Sequence, residues 1–202
     1  MESTITFRSD IVKNKYSFLS NFYPDVKRDD LKTTASFIHD GKEFHNVEHY
    51  YMWAKMAHID KEYANCVMLP LRNSLDVRSA GSKGAYIEWK FFQDSSAAGY
   101  TPIERTANGG WKVPKKTPVK KISIKKDFED RITTFDRDET MRFALRKKFE
   151  NPILHKALLE TGNATLEEVG GARGSKYWSN AGENKLGILL MELRKSFQTE
   201  KS

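Results

Sequence analysis

Gly41-Lys42-Glu43-Phe44-His45-Asn46-Val47-Glu48-His49-Tyr50-Tyr51-Met52-Trp53-Ala54-Lys55 is the stretch on which the fold turns. Phe37 to Phe44 reads as a hairpin, because Asp40-Gly41 supplies the residue types that a tight turn with positive φ requires. Asn46 reads as an N-cap and Val47 to His58 as a helix. A hairpin that runs straight into a helix sets a mixed architecture. On that helix Glu48 and Lys55 lie two turns apart on one face, with Tyr51 and Met52 between them. Glu48 falls in the first turn, where the helix dipole and free N–H groups stabilise an anion. A first-turn acid and a lysine are often solvated. Here Val47, Tyr50, Tyr51, Trp53 and Ala54 leave little room for a solvated face.

His45-Asn46-Val47-Glu48-His49 also matches H-x-x-E-H, a zinc-peptidase pattern. That chemistry needs both histidines on one helical face. With Asn46 as the cap, His45 lies outside the helix and the geometry fails. The expectation is therefore no metal.

Working outward, Ile5 to Phe7 reads as a strand and Ser17 to Pro24 as a loop or strand end. Glu62 to Met68 and Ser74 to Ala80 read as short helices, and Trp89 to Phe92 as an apolar run. Met141, Leu145 and Phe149 recur at helical spacing within Arg137 to Phe149. Asn151-Pro152 restarts a helix with Ile153, Leu154, Ala157 and Leu158 inward, ended by Gly162. Thr165 to Val169 is a strand or a turn of helix, and Leu186 to Phe197 is the last helix. The fold class expected is α+β: a mainly helical, compact single domain over residues 1–202 with a small β-sheet or hairpin.

The chain has 202 residues, 39% hydrophobic and 30% charged, with a net charge of +7. That is enough for one core. The single Cys66 excludes an intrachain disulfide and a cysteine-rich zinc site. No apolar run approaches the ~18 residues of a membrane span. The first residues lack the basic and apolar segments of a signal peptide. A cytoplasmic location is expected, with no cofactor and no obligate protein partner. The basic balance suits a polyanionic partner.

Two further segments carry chemistry. From Lys112 to Lys126 there are seven lysines and no carboxylate. Residues 99–127 read as a lysine-rich loop or hairpin inserted into the domain. It is either a basic ribbon for a phosphate backbone or a solvated charge run. Lys112, Lys115, Lys116, Lys120 and Lys121 are its candidate nucleic-acid contacts. Trp178 sits in a Gly/Ser/Asn loop, either as a stacking platform for a base or sugar or as a core plug. Asn184 caps the last helix or donates its amide to a ligand there.

Taken together, these stretches resemble the NADAR family of YbiA-like proteins. The matching segments are Phe18 to Pro24; Phe44 to Lys55; Met141 to Phe149; Leu154 with Leu158 to Gly162; Leu166-Glu167-Glu168; and Trp178 with Gly182, Asn184, Leu186-Gly187 and Leu190 to Arg194. They run in family order over most of the chain. Ser175 stands where the family often has aspartate, and Ser179 where it has glycine. Phe135 lies where a tryptophan usually precedes the Met141 helix.

The resemblance implies a compact α+β fold and N-glycosidase chemistry. The family's functional glutamate, helix lysine and late tryptophan map onto Glu48, Lys55 and Trp178. Tyr51 lies on the same helix face. Phe22 and Trp178 are expected to stack on a base or adenine, and Asn21, Arg78 and Asn184 to contact ribose or diphosphate. The reaction expected is removal of ADP-ribose from a modified nucleobase, in DNA, as in reversal of a DNA-modifying toxin by a phage. The rivals are hydrolysis of ribosylamino-pyrimidine phosphates of the riboflavin pathway, and a non-catalytic nucleic-acid-binding protein.

Overall fold

A computed structural model describes residues 3–8, 15–25, 31–97, 119–170 and 175–200. Its first strand, β1 (Thr4–Phe7), pairs in parallel with the last, β4 (Thr165–Glu168), in the register Thr4↔Thr165 to Phe7↔Glu168. Between them β2 (Phe37–His39) and β3 (Lys42–Phe44) form an antiparallel hairpin. Asp40 and Gly41 at its tip have φ of 48° and 70°, as the two-residue turn demands. The fold is α+β, with helices built around these two small sheets.

The hairpin leads into α1 (Val47–Ile59), then α2 (Lys61–Tyr63), which runs on into a π turn at Ala64–Met68. Next come α3 (Ser74–Ala80) and α4 (Lys83–Ala97), and then α5 (Val119–Ile132) after the undescribed residues. The chain continues with α6 (Arg137–Lys148), α7 (Pro152–Leu159), β4 and α8 (Lys185–Thr199). Thr165 to Glu168 resolves as strand. Ser17 to Leu19 is a short 3-10 turn, and the run at Trp89 belongs to α4.

Helix α1 is central. Its core face joins Phe44, Tyr50 and Tyr51 to Met141, Leu145, Phe149 and Leu190 in the larger cluster of buried side chains. Met56 and Ile59 at its far end join Tyr63, Tyr86, Ile124 and Phe128 in a second cluster. Met52 and Trp53 pack against both. On α7, Leu154, Ala157 and Leu158 are buried as their spacing requires. Ile153 is instead 46% exposed, because it lies off the face that Leu154, Ala157 and Leu158 share.

The expected loop at 99–127 needs correction where it can be seen. Residues 99–118, including Lys112, Lys115 and Lys116, lie outside the described residues. From Val119 onward the segment is helix α5. Its seam is Lys121, Ile124 and Phe128, spaced as one helical face and buried against α4. The dense lysines masked this periodicity in the sequence.

A polar network at the start of α1 locks three elements together. Asn46 Oδ1 accepts the His49 N–H at 3.0 Å, the expected cap. Its amide donates to Ser74 Oγ at 2.7 Å, and Ser74 Oγ donates to Asp25 Oδ2 at 2.6 Å. The Ser74 backbone N–H meets the same carboxylate at 2.8 Å. Burial would raise the Asp25 pKa, but the Ser74 bonds and the His45 ring outweigh it and hold the carboxyl below its ordinary value. Asn46→Ala removes the cap and leaves Ser74 short of a donor. It is expected to cost roughly 2 kcal/mol of unfolding free energy. Urea denaturation checks this, and a loss below ~0.5 kcal/mol would mean that the network is not stabilising.

Candidate active site

The same network positions a cavity of about 340 Å³. Asn21 and Phe22 enter from the loop before Asp25, and Glu48, Tyr51, Met52 and Lys55 from α1. Arg78 comes from α3, Met141 from α6, Glu168 from the end of β4, and Ser175, Trp178 and Ser179 from the loop before α8. Residues distant in sequence converge because β4 returns beside β1 and α8 closes over it.

Glu48 is only 6% exposed. Its backbone N–H donates to Asn21 O at 3.1 Å, which fixes the loop against the first turn of α1. Burial pushes its carboxyl up to about 7, and the neighbouring Glu168 adds to the rise. Arg78 and Lys55 oppose it. Glu168 is likewise raised to about 7 by burial, with Arg78 opposing. Arg78 thus acts on both carboxyls. Burial lowers the pKa of Lys55 below the ordinary ammonium value, against the pull of Glu48. One Lys55 N–H is donated to Gly81 O at 2.6 Å.

Trp178 is both things the sequence allowed. It packs against the main core and lines the cavity. Its ring meets Tyr51 edge-on, with centroids 5.6 Å apart. The adjacent Tyr177 bonds Asp138 and lies under Arg137, which anchors this loop to α6. Phe135 also meets Tyr51 edge-on, with centroids 5.8 Å apart. Burial, followed by the charge of Glu48, raises the Tyr51 phenol above its ordinary value, so it stays neutral.

Asn21 is buried, and its Oδ1 has no hydrogen-bond partner within the protein. Its amide reaches only Met141 Sδ at 3.5 Å, a weak acceptor. A buried acceptor without a partner in a cavity wall is a place for a ligand's donor. The loop that carries it is held by Lys148, whose ammonium is buried and donates to Ser20 O at 2.7 Å.

Asn184 does not line the cavity. It sits in left-handed backbone at the head of α8 and makes no side-chain cap. Its Oδ1 accepts the Glu168 N–H at 3.1 Å and its amide donates to Leu166 O at 2.9 Å, stapling β4 to α8. The expected cap or ligand contact is therefore corrected to a strand clamp. Gly187 allows this approach, since a Cβ there would lie 2.1 Å from Leu166 O.

Both histidines of the H-x-x-E-H pattern are engaged elsewhere. His45 precedes α1 and pairs with Asp25. The Nδ1 of His49 accepts the His45 N–H at 3.1 Å, and its Nε2 donates to Met68 O at 3.1 Å. Burial holds its pKa down near 4. Two expected nucleic-acid contacts lie on α5. Lys121 is buried with its ammonium 2.7 Å from both Glu88 oxygens, and Lys120 lies 3.7 Å from Asp94. They neutralise α4 rather than stand free.

Sequence reasoning missed Glu168. Strand alternation could have found it: Leu166 is fully buried, and a residue two positions on shares its face.

No family model and no curated protein matches the chain. Its fold is similar to the NMR structure of the E. coli protein YbiA, with a TM-score of 0.58 and 23% identity. The match covers 100% of this chain and 89% of that one. The fold is therefore YbiA-like. No helix among the described residues is long and apolar enough to cross a membrane.

Proposed function

We propose that this cavity cleaves an N-glycosidic bond, and that the chain is a NADAR-type hydrolase removing ADP-ribose from a modified nucleobase. One observation carries the reading: two buried-site carboxyls, Glu48 and Glu168, share a cavity with Arg78, Lys55 and the Trp178 ring. Cleavage at the anomeric carbon builds positive charge on the sugar, and a carboxylate beside it stabilises that charge. Glu48 takes this part and also accepts a proton from the attacking water. Trp178 and Phe22 stack on the base or adenine. Lys55, an ammonium that burial destabilises, is suited to contact with the opened sugar.

The free Asn21 oxygen sharpens the substrate. A diphosphate offers no proton to it, whereas a ribose hydroxyl or an amino group does. Asn21 is therefore assigned to the sugar or base, and the diphosphate to Arg78. The cavity, about 340 Å³, is near the small end for ligand sites. It has room for a nucleoside-sized group, so DNA would lie outside it.

A specific observation supports the small-substrate alternative. The described lysines expected to hold DNA, Lys120 and Lys121, face carboxylates of the protein itself. A ribosylamino-pyrimidine phosphate would need no such contacts. The deciding experiment is mass spectrometry after incubation with ADP-ribosylated oligonucleotide, ADP-ribosylated nucleoside and ribosylamino-pyrimidine phosphate. Release of ADP-ribose from oligonucleotide is expected. Turnover of the pyrimidine phosphate alone would replace this reading with the alternative.

A further inference from the structure

We propose that Glu168 is the general acid of this cavity, protonating the departing base while Glu48 takes the proton of the attacking water. The proposal rests on the glycosidase reading and assigns its second reacting group.

The geometry separates the two carboxyls by origin. The charged side chains that line the cavity among the described residues are Glu48 and Lys55 from α1, Arg78 from α3 and Glu168 from β4. Glu48 lies in the first turn of α1, where the helix dipole favours the anion, with Lys55 two turns along the same helix. Lys55 acts on Glu48, and Arg78 is the one charge that opposes the rise at Glu168. The N-terminal end of α1 and Lys55 favour the anion at Glu48, whereas Glu168 sits at the end of a strand with no helix dipole behind it and is assigned the proton.

Glu168 is also held as an acid should be. Its N–H is bound by Asn184 Oδ1 at 3.1 Å, and its carbonyl accepts the Asn180 N–H at 2.8 Å. The next N–H, that of Val169, donates to Phe7 O at 2.8 Å. Both flanks of the residue are clamped, so the side chain reaches the cavity from a rigid strand end. Asn184 is the positioning residue for this acid.

The step balances. Water adds its oxygen to C1 and gives a proton to ionised Glu48. The C1–N bond breaks, its electron pair stays on the base nitrogen, and that nitrogen receives the proton of Glu168. The products are the free sugar and the neutral base. Proton exchange with solvent resets the two carboxyls.

The test uses leaving groups. Wild type, Glu168→Gln, Glu168→Asp and Glu48→Gln are compared on an ADP-ribosylated nucleobase and on a 4-nitrophenyl riboside, whose phenolate leaves without a proton. Glu168→Gln is expected to lose about 100-fold or more in kcat on the nucleobase and little on the nitrophenyl substrate. The alkaline limb of its pH profile should vanish. Glu168→Asp should recover part of the nucleobase activity, because it restores an acid. Glu48→Gln should lose both activities. Equal losses for Glu168→Gln on both substrates, or no loss on either, would overturn the proposal while an active wild type keeps the glycosidase reading. A wild type silent on every N-riboside would overturn both.

Discussion

Glu48→Gln is expected to lower kcat by more than ~100-fold with the fold retained, the scale on which a positioned acid–base group acts. Glutamine keeps the volume and can still line the cavity wall. It cannot accept a proton from water, and its neutral amide cannot stabilise a developing cation. The carboxyl it replaces is almost fully buried, and its backbone N–H bond to Asn21 O does not depend on the side chain. The loss should therefore fall on kcat more than on KM. Steady-state kinetics with a circular dichroism melt on the same sample check this. Near-normal turnover in a folded mutant would remove Glu48 from the mechanism.

The same substitution should make the protein more stable above neutral pH. In the folded chain the Glu48 carboxyl is raised to about 7 by burial, against an ordinary value of 4.5. Between those values the folded state holds a proton that the unfolded state has released. Unfolding free energy therefore falls as pH rises from about 4.5 to about 7, and stays reduced above. Glu168 acts in the same direction. His49 acts in the opposite one: its pKa is held down near 4 by burial, so its contribution is lost as pH falls from about 6.5. The wild-type curve combines these contributions, and the difference between Glu48→Gln and wild type reports Glu48 together with its coupling to Glu168 and Lys55. That difference should grow from near zero at pH 4.5 to roughly 3 kcal/mol at pH 8, from 1.36 kcal/mol per unit of pKa. Urea unfolding at several pH values measures it. A flat difference would mean that Glu48 is solvated in the folded protein. A rise would mark a site whose charge costs stability, as an active site does.

What the sequence determined by itself are features whose causes lie within a few residues. Asp40-Gly41 sets the hairpin because both residues must take positive φ. Asn46 starts α1 because its side chain reaches an N–H three residues on. The spacing of Met141, Leu145 and Phe149 marks α6, and two turns of α1 put Glu48 and Lys55 in one cavity wall. The Gly/Ser/Asn loop had already marked Trp178, the resemblance covered Asn21 and Phe22, and the reaction expected added Arg78; all four line the same cavity.

Only the tertiary structure decided what depends on distant chain meeting. Glu168 faces Glu48 because β4 returns beside β1, a pairing that no local signal encodes. Asn184 reads as a helix cap from its neighbours, yet it spends its amide on β4, because Gly187 lets the strand come that close. Lys121 reads as a free cation in a run of lysines. Its partner, Glu88, lies on the preceding helix, and burial of the pair follows from α5 packing on α4. Caps and turns are set by bonds that close over short loops. Ion pairs, strand pairing and the raised carboxyls depend on which surfaces are brought together and dried.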